Sequence, residues 1–169
     1  LTASDLVEAA RNGAGDLPWS TLAEVCTGPA GTLGAAPRSE TAYLQYTSGS
    51  TSAPRGVRIE HGAVLAQCQA LQAIVPIDPE RSRGLIWLPW FHDYGLVHGL
   101  IQPMFAGVTS YLMPTLGFMR RPLRWLEAVH VHRITHTGAP DFAYRACVDA
   151  LARQGDWHAD LSGLEVASC

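Results

Sequence analysis

Between Leu44 and His61 the chain reads LQYTSGSTSAPRGVRIEH, and its chemistry is concentrated in one turn. Thr47, Ser48, Gly49, Ser50 and Thr51 bring hydroxyls and a glycine together, and Arg55 closes the segment with a fixed positive charge. Backbone N–H groups freed by such a turn, hydroxyl donors and a guanidinium that can grip two oxygens make a cradle for phosphate. The spacing is not that of a Walker loop, a GxGxxG dinucleotide turn or a GxSxG nucleophile elbow. Hydroxyl-rich turns also serve as solvated hairpin loops, so residue chemistry alone leaves both readings open.

His92 and Asp93 form the second candidate. They follow the apolar run Leu85–Leu88 and a Pro-Trp-Phe bend, and they open a helix. Ligands of doubly wound sheets bind at the carboxyl ends of the strands, which makes this a site position by architecture. An imidazole there can donate to a carboxylate or phosphate oxygen, while Asp93 caps the helix or orients the ring. A buried histidine satisfied by backbone is the plainer alternative. Gly138 to Phe142, GAPDF, is a strand-to-helix turn whose small residues let a ligand approach the backbone. His130, His132 and His136 read as helix-end and strand histidines rather than a metal set, because no acidic or cysteine partner has matching spacing.

These residues need an α/β scaffold, and the hydrophobic pattern supplies one. Strands are expected at 42–47, 56–60, 84–88, 108–113, 134–137 and 164–168. Helices are expected at 61–75, 93–105, 122–130 and 140–153, with another short one capped by Ser4, and 13–39 reads as a loop-rich segment. Strands alternating with helices imply a mainly parallel sheet with flanking helices. The 169 residues are 47% hydrophobic with net charge −3, enough for a real core and without the basic stripe of a nucleic-acid binder. No apolar stretch approaches the roughly 20 residues of a transmembrane helix. Cys26, Cys68, Cys147 and Cys169 form no CxxC pair and read as reduced thiols of a cytoplasmic protein.

The segment YTSGSTSAPRG resembles the phosphate-loop signature of the adenylate-forming enzymes: acyl-CoA ligases, peptide-synthetase adenylation domains and luciferases. Ser52 stands where glycine is usual and Arg55 where lysine is usual. Further runs resemble the fatty acyl-AMP ligases within that superfamily. They are Leu88-Pro89, His92-Asp93, Gly95-Leu96, Gln102-Pro103, Arg121 to Leu126 and Pro140 to Tyr144. The resemblance implies ATP and Mg2+ as cofactors, a fatty acid as substrate and an acyl carrier protein as acceptor. It implies that Thr47 to Thr51 and Arg55 hold the β- and γ-phosphates and that His92 contacts the acyl carboxylate or the α-phosphate. Gly138, Pro140 and Phe142 would line the acyl tunnel, a core role for Phe142 being the alternative. Residues 1–169 would be part of the large amino-terminal domain, an internal piece of a longer chain. The acid that helps hold magnesium and, separately, the carboxy-terminal domain would both lie beyond Cys169. An acyl-CoA ligase and a truncated module that only binds an acyl chain or a partner are the other readings.

Overall fold

The computed structural model describes residue 34 and residues 37–47 and 55–169. The chain divides into Leu1–Ala35 and Ala36–Cys169, and the second of these carries the architecture. The helix expected after Ser4 and most of segment 13–39 lie outside the described residues, as do Ser48 to Pro54.

An antiparallel hairpin comes first, β1 (Thr41–Thr47) against β2 (Arg55–Glu60), with Gln45 opposite Val57 and Thr47 opposite Arg55. Helix α1 (His61–Ile74) follows directly, and its end at Val75 is set by the residue preceding Pro76 being driven to extended geometry. The second sheet is parallel. Its strands β3 (Arg83–Ile86), β4 (Thr109–Leu112), β5 (His136–Gly138) and β6 (Val166–Ser168) lie in the order β4-β3-β5-β6. The mainly parallel α/β sheet expected from the sequence is present, and the β1–β2 hairpin is an antiparallel sheet of its own.

Alternation along β3 gives the sheet two different faces. Leu85 and Trp87 join Phe118, Trp125, Val129, Ile134, Ala139, Ala143 and Cys147 in one buried cluster. Three helices supply the rest of it: α4 (Thr115–Arg120), α5 (Leu123–His132) and α6 (Asp141–Gln154). Aromatic rings organise it, with Phe118 stacked on Trp87 at 3.9 Å and Trp125 edge-on to both. Trp125 donates Nε1–H to Thr137 Oγ1 at 2.9 Å, and Thr137 donates onward to the Leu85 carbonyl at 2.8 Å, which pairs these polar atoms across β3 and β5, whereas Trp87 Nε1 has no partner among the described residues. Burial in an apolar surround pushes the Cys147 thiol up to about 11, which keeps it protonated and inert.

Ile86 points to the opposite face, where the helix after the Pro-Trp-Phe bend packs. That helix consists of α2 (Asp93–Leu96), a π turn (Val97–Ile101) and α3 (Gln102–Ala106). The sequence predicts it as one regular helix, and the π turn has a local cause. Pro103 lacks the N–H that would bond the Gly99 carbonyl in an α-helix. Ser110 on β4 takes that carbonyl instead, donating Oγ–H at 2.7 Å. Gly99 also lies so close to Ile86 that a Cβ would come within 2.4 Å of its Cγ2.

Helix α4 is absent from the sequence-derived element map, where the stretch reads as a connection. Six residues containing Gly117 show no apolar periodicity. Its helical state follows from Phe118 docking on Trp87 and from Thr115, whose hydroxyl donates to the Trp87 carbonyl at 2.8 Å. Predicted boundaries of the other elements fall within a few residues of those observed, the usual fraying of ends.

Candidate functional site

Strand order places the site. The chain leaves β3 for β4 by way of α2–α3 on one face and leaves β5 for β6 by way of α6 on the other. The adjacent pair β3 and β5 is therefore the switch point of the sheet, where connections diverge and a crevice opens at the carboxyl ends. His92 follows β3 and Gly138 ends β5, so both expected site positions border this crevice.

At the β3 end the turn is tight. His92 N–H bonds the Pro89 carbonyl at 3.0 Å, and an added Cβ on Gly95 would meet that carbonyl oxygen at 2.2 Å. His92 is the helix N-cap in extended geometry, its side chain 66% exposed. Its Nδ1 lies 2.7 Å from Asp93 Oδ1, and the Tyr94 N–H reaches the same carboxylate oxygen at 2.7 Å. Asp93 thus does both jobs expected of it. It shares the Tyr94 N–H with His92 Nδ1, which accepts the same N–H at 3.2 Å, and it holds the imidazole through Nδ1, leaving Nε2 as the nitrogen available to a ligand.

The β1–β2 hairpin is joined to this turn. Gln45 donates its Nε2–H to the Phe91 carbonyl at 3.1 Å, two residues before β1 ends at Thr47. With ~3.4 Å per strand residue, the base of the loop stands on the order of 10 Å from His92. Arg55 is exposed at the start of β2, opposite Thr47, so the hairpin register holds the two ends of the loop side by side. Ser48, Gly49, Ser50 and Thr51 lie outside the described residues. Tyr43 on β1 has its phenol pushed up by burial first and then by the negative charge of Asp93, which places that carboxylate beside the hairpin.

At the β5 end, a Cβ added to Gly138 would lie 2.2 Å from the Tyr94 hydroxyl and 2.4 Å from Ser168 Oγ, so none can be added without movement. Tyr94 and Ser168 share a 2.5 Å hydrogen bond across it, and Tyr144 donates to the Ser168 carbonyl at 2.7 Å. A cavity of about 110 Å³ opens here and runs under α2 and α3 toward the end of α1, with Leu71, Val75, Ile86 and Val108 among its apolar walls. Gly138 lines it. Pro140 caps α6 and is exposed, and Phe142 lies edge-on to Trp87 at 6.2 Å with 55% of its surface exposed. Neither lines this cavity.

Three residues not singled out from the sequence face the same cavity: Tyr94, His98 and Gln102. Their spacing of four is the signal that marks one helical stripe, and the wider π turn between them offsets its drift. His98 stacks on Tyr94 at 4.4 Å. Burial lowers its pKa below the ordinary imidazole value, with Asp93 pulling weakly the other way. The unfolded chain then binds the proton more readily, so His98 adds nothing unfavourable above about pH 6.5 and costs stability as pH falls through its lowered folded value. Urea midpoints at pH 7 and pH 5 should differ less in His98→Phe, which keeps the stacking, than in the wild type. An unchanged pH difference would show that His98 is solvated like a free imidazole.

The three histidines expected at a helix end and on a strand are placed there. His130 and His132 end α5, and His136 sits on β5 bonded to Thr135 and to the Pro76 carbonyl. Among the described residues no group of three or more His, Cys, Asp or Glu could hold a metal ion.

The profile of the AMP-binding enzymes matches residues 7–169. The chain belongs to that family. It is 42% identical over 127 residues to the medium-chain-fatty-acid–[acyl-carrier-protein] ligase JamA of Moorena producens, covering 75% of this chain and 21% of the relative. It is 40% identical over 131 residues to the 4-hydroxyphenylalkanoate adenylyltransferase of Mycobacterium tuberculosis, covering 76% and 20%. A solved fatty acyl-adenylate ligase from L. pneumophila, in complex with acyl adenylate and pyrophosphate, superposes with TM-score 0.74 at 30% identity over 80% of this chain and 24% of that one. The resemblance to adenylate-forming enzymes read from the motifs is borne out, and this AMP-binding chain spans about a fifth of the length of the curated relatives it matches. No helix of the described residues is long and apolar enough to cross a membrane.

Proposed function

We propose that this chain supplies the phosphate loop and the carboxylate-positioning turn of a ligase that activates a fatty acid as its acyl-adenylate. The observation that carries the proposal is the meeting of three features at one sheet switch point. These are the base of the phosphate hairpin, the Asp93-oriented His92 and the Gly138 edge of an apolar-walled cavity. The fatty acid carboxylate attacks the α-phosphorus of ATP, the bond from that phosphorus to the bridging oxygen breaks, and pyrophosphate leaves. Thr47, Ser48, Gly49, Ser50, Thr51 and Arg55 hold the β- and γ-phosphates, and His92 holds the attacking carboxylate in line. Positioning and charge neutralisation are the main contributions a protein makes to such a transfer.

The acyl group enters by the Gly138 edge, and Pro140 and Phe142, which do not line the cavity, stand outside it. The acceptor in this reading is an acyl carrier protein, as the name of the Moorena producens relative suggests. A cytoplasmic location and a magnesium ion accompanying ATP belong to the same reading. Among the described residues no group of three or more His, Cys, Asp or Glu could hold that ion.

In the intact native protein, His92→Ala is expected to lower kcat for adenylate formation by roughly 10- to 100-fold while changing the KM for ATP less than about threefold. Equal losses in both would make His92 a purely structural cap.

A further inference from the structure

The β1–β2 hairpin is held differently at its two ends. Where β1 begins and β2 finishes, the His61 and Gly62 N–H groups bond the Glu40 and Arg38 carbonyls, which fixes that end to the first turn of α1. The other end is where Thr47 pairs with Arg55. Among the described residues, the 3.1 Å bond from Gln45 Nε2–H to the Phe91 carbonyl is the one hydrogen bond that β1 or β2 makes to any residue beyond α1. Side chains do not close the gap beside it. A cavity of about 390 Å³ lies between the hairpin, α1 and α2, with Tyr43, Ile59, Val64, Asp93 and Val97 among its walls.

The atom that Gln45 grips gives the bond its meaning. The Phe91 carbonyl belongs to the peptide unit that ends in the His92 N–H, and that N–H is bonded to the Pro89 carbonyl at 3.0 Å. A planar peptide held at both its oxygen and its nitrogen has its orientation fixed. His92 leaves from that unit, with Nδ1 beside Asp93. On the hairpin side, Gln45 stands opposite Val57, two residues along the ladder from the Thr47–Arg55 pair. Two strand residues span about 7 Å, so a ladder fixed at Gln45 is fixed at Arg55 as well.

We infer that Gln45 is a positioning residue, which sets the separation between the Arg55 end of the hairpin and His92. It thereby sets how the phosphates and the attacking carboxylate are aimed at each other. The inference rests on the acyl-adenylate reading above. Loss of Gln45 leaves each substrate its own contacts, so binding changes little and only the relative placement of the two is disturbed. One hydrogen bond between solvent-accessible groups adds little net stability, whereas a misplacement of about 1 Å costs on the order of 100-fold in rate. The two effects therefore separate in measurement.

The test is acid-dependent exchange of labelled pyrophosphate into ATP by the intact native protein, with whichever of hexanoic, decanoic and palmitic acid the wild type uses best. Gln45→Met keeps length and removes the donor. Its kcat is expected to fall by about tenfold or more, while the KM for ATP and for the acid each move less than about threefold. Its urea midpoint should stay within about 0.5 M of wild type. A residue that only stabilised the fold would not split kcat from KM in this way. Because Gln45 acts through His92, adding Gln45→Met to His92→Ala should slow exchange by no more than about twofold further. Gln45→Asn keeps the amide but is one methylene too short, and it should lose kcat as Gln45→Met does; it carries the test if Gln45→Met fails to fold. Wild-type kcat in either folded variant overturns the assignment, as does a full second loss in the His92→Ala background. Either of those outcomes leaves the acyl-adenylate reading intact, whereas wild-type protein that exchanges with none of the three acids removes both.

Discussion

Gly95→Ala is expected to destabilise the intact native protein by about 3 kcal/mol, near the upper end of overpacking costs, and to abolish measurable adenylate formation. The reason is the identity of the atoms in the way. An added methyl would lie 2.2 Å from the Pro89 carbonyl oxygen, 2.8 Å from its carbon and 2.9 Å from the Leu88 oxygen. All three are backbone, so no rotamer change relieves the contact. The turn from β3 into α2 must open, and opening it moves His92, whose N–H is bonded to that same Pro89 carbonyl. Urea unfolding monitored by fluorescence of the core tryptophans gives the stability change. A loss under 1 kcal/mol would mean the turn is looser than its geometry implies. Gly117→Ala is the control, since its nearest obstacle is the Met113 side chain at 3.7 Å, and it should cost nothing or stabilise α4 slightly.

Arg55→Ala is expected to lower kcat/KM for ATP by about 100-fold or more, the scale of removing one preorganised charge or donor from a site of developing negative charge. Stability should move by no more than ~0.5 kcal/mol, because Arg55 is exposed at the start of β2. Arg55→Lys restores the charge without the two-pronged grip and should recover only part of the loss. Steady-state kinetics with saturating acid separates the outcomes. Unchanged turnover in Arg55→Ala would place the phosphates elsewhere.

How much of this could be read from the sequence divides along a physical line. Features built from local turn chemistry were legible: the two strands flanking the Ser/Thr/Gly segment, the His-Asp helix cap and the glycine closing β5 all announce themselves within a few residues. Asp93 even allowed both its roles to be named, cap and orienter, since a carboxylate at the first helical position can reach either group. Features made by distant partners were not. Helix α4 exists because Phe118 stacks on Trp87, a residue 31 positions away, and the π turn exists because Ser110 from the next strand takes the carbonyl that Pro103 leaves unbonded. Gln102 carried its signal only in part. Its spacing from Tyr94 and His98 is visible, but that its buried carboxamide lacks partners among the described residues depends on which side of the helix the sheet covers. Pro140 and Phe142 show the reverse, as turn residues whose facing the sequence does not determine.

The central claim is that this chain forms part of a machine that joins a fatty acid carboxylate to AMP. Exchange of labelled pyrophosphate into ATP by the intact native protein tests it most directly, because exchange requires that reaction and its reversal and nothing later. The account predicts label in ATP only when an acid of the fatty class is added, with loss of that signal in Arg55→Ala. Exchange that is absent with every acid, or equal with and without acid, would contradict it.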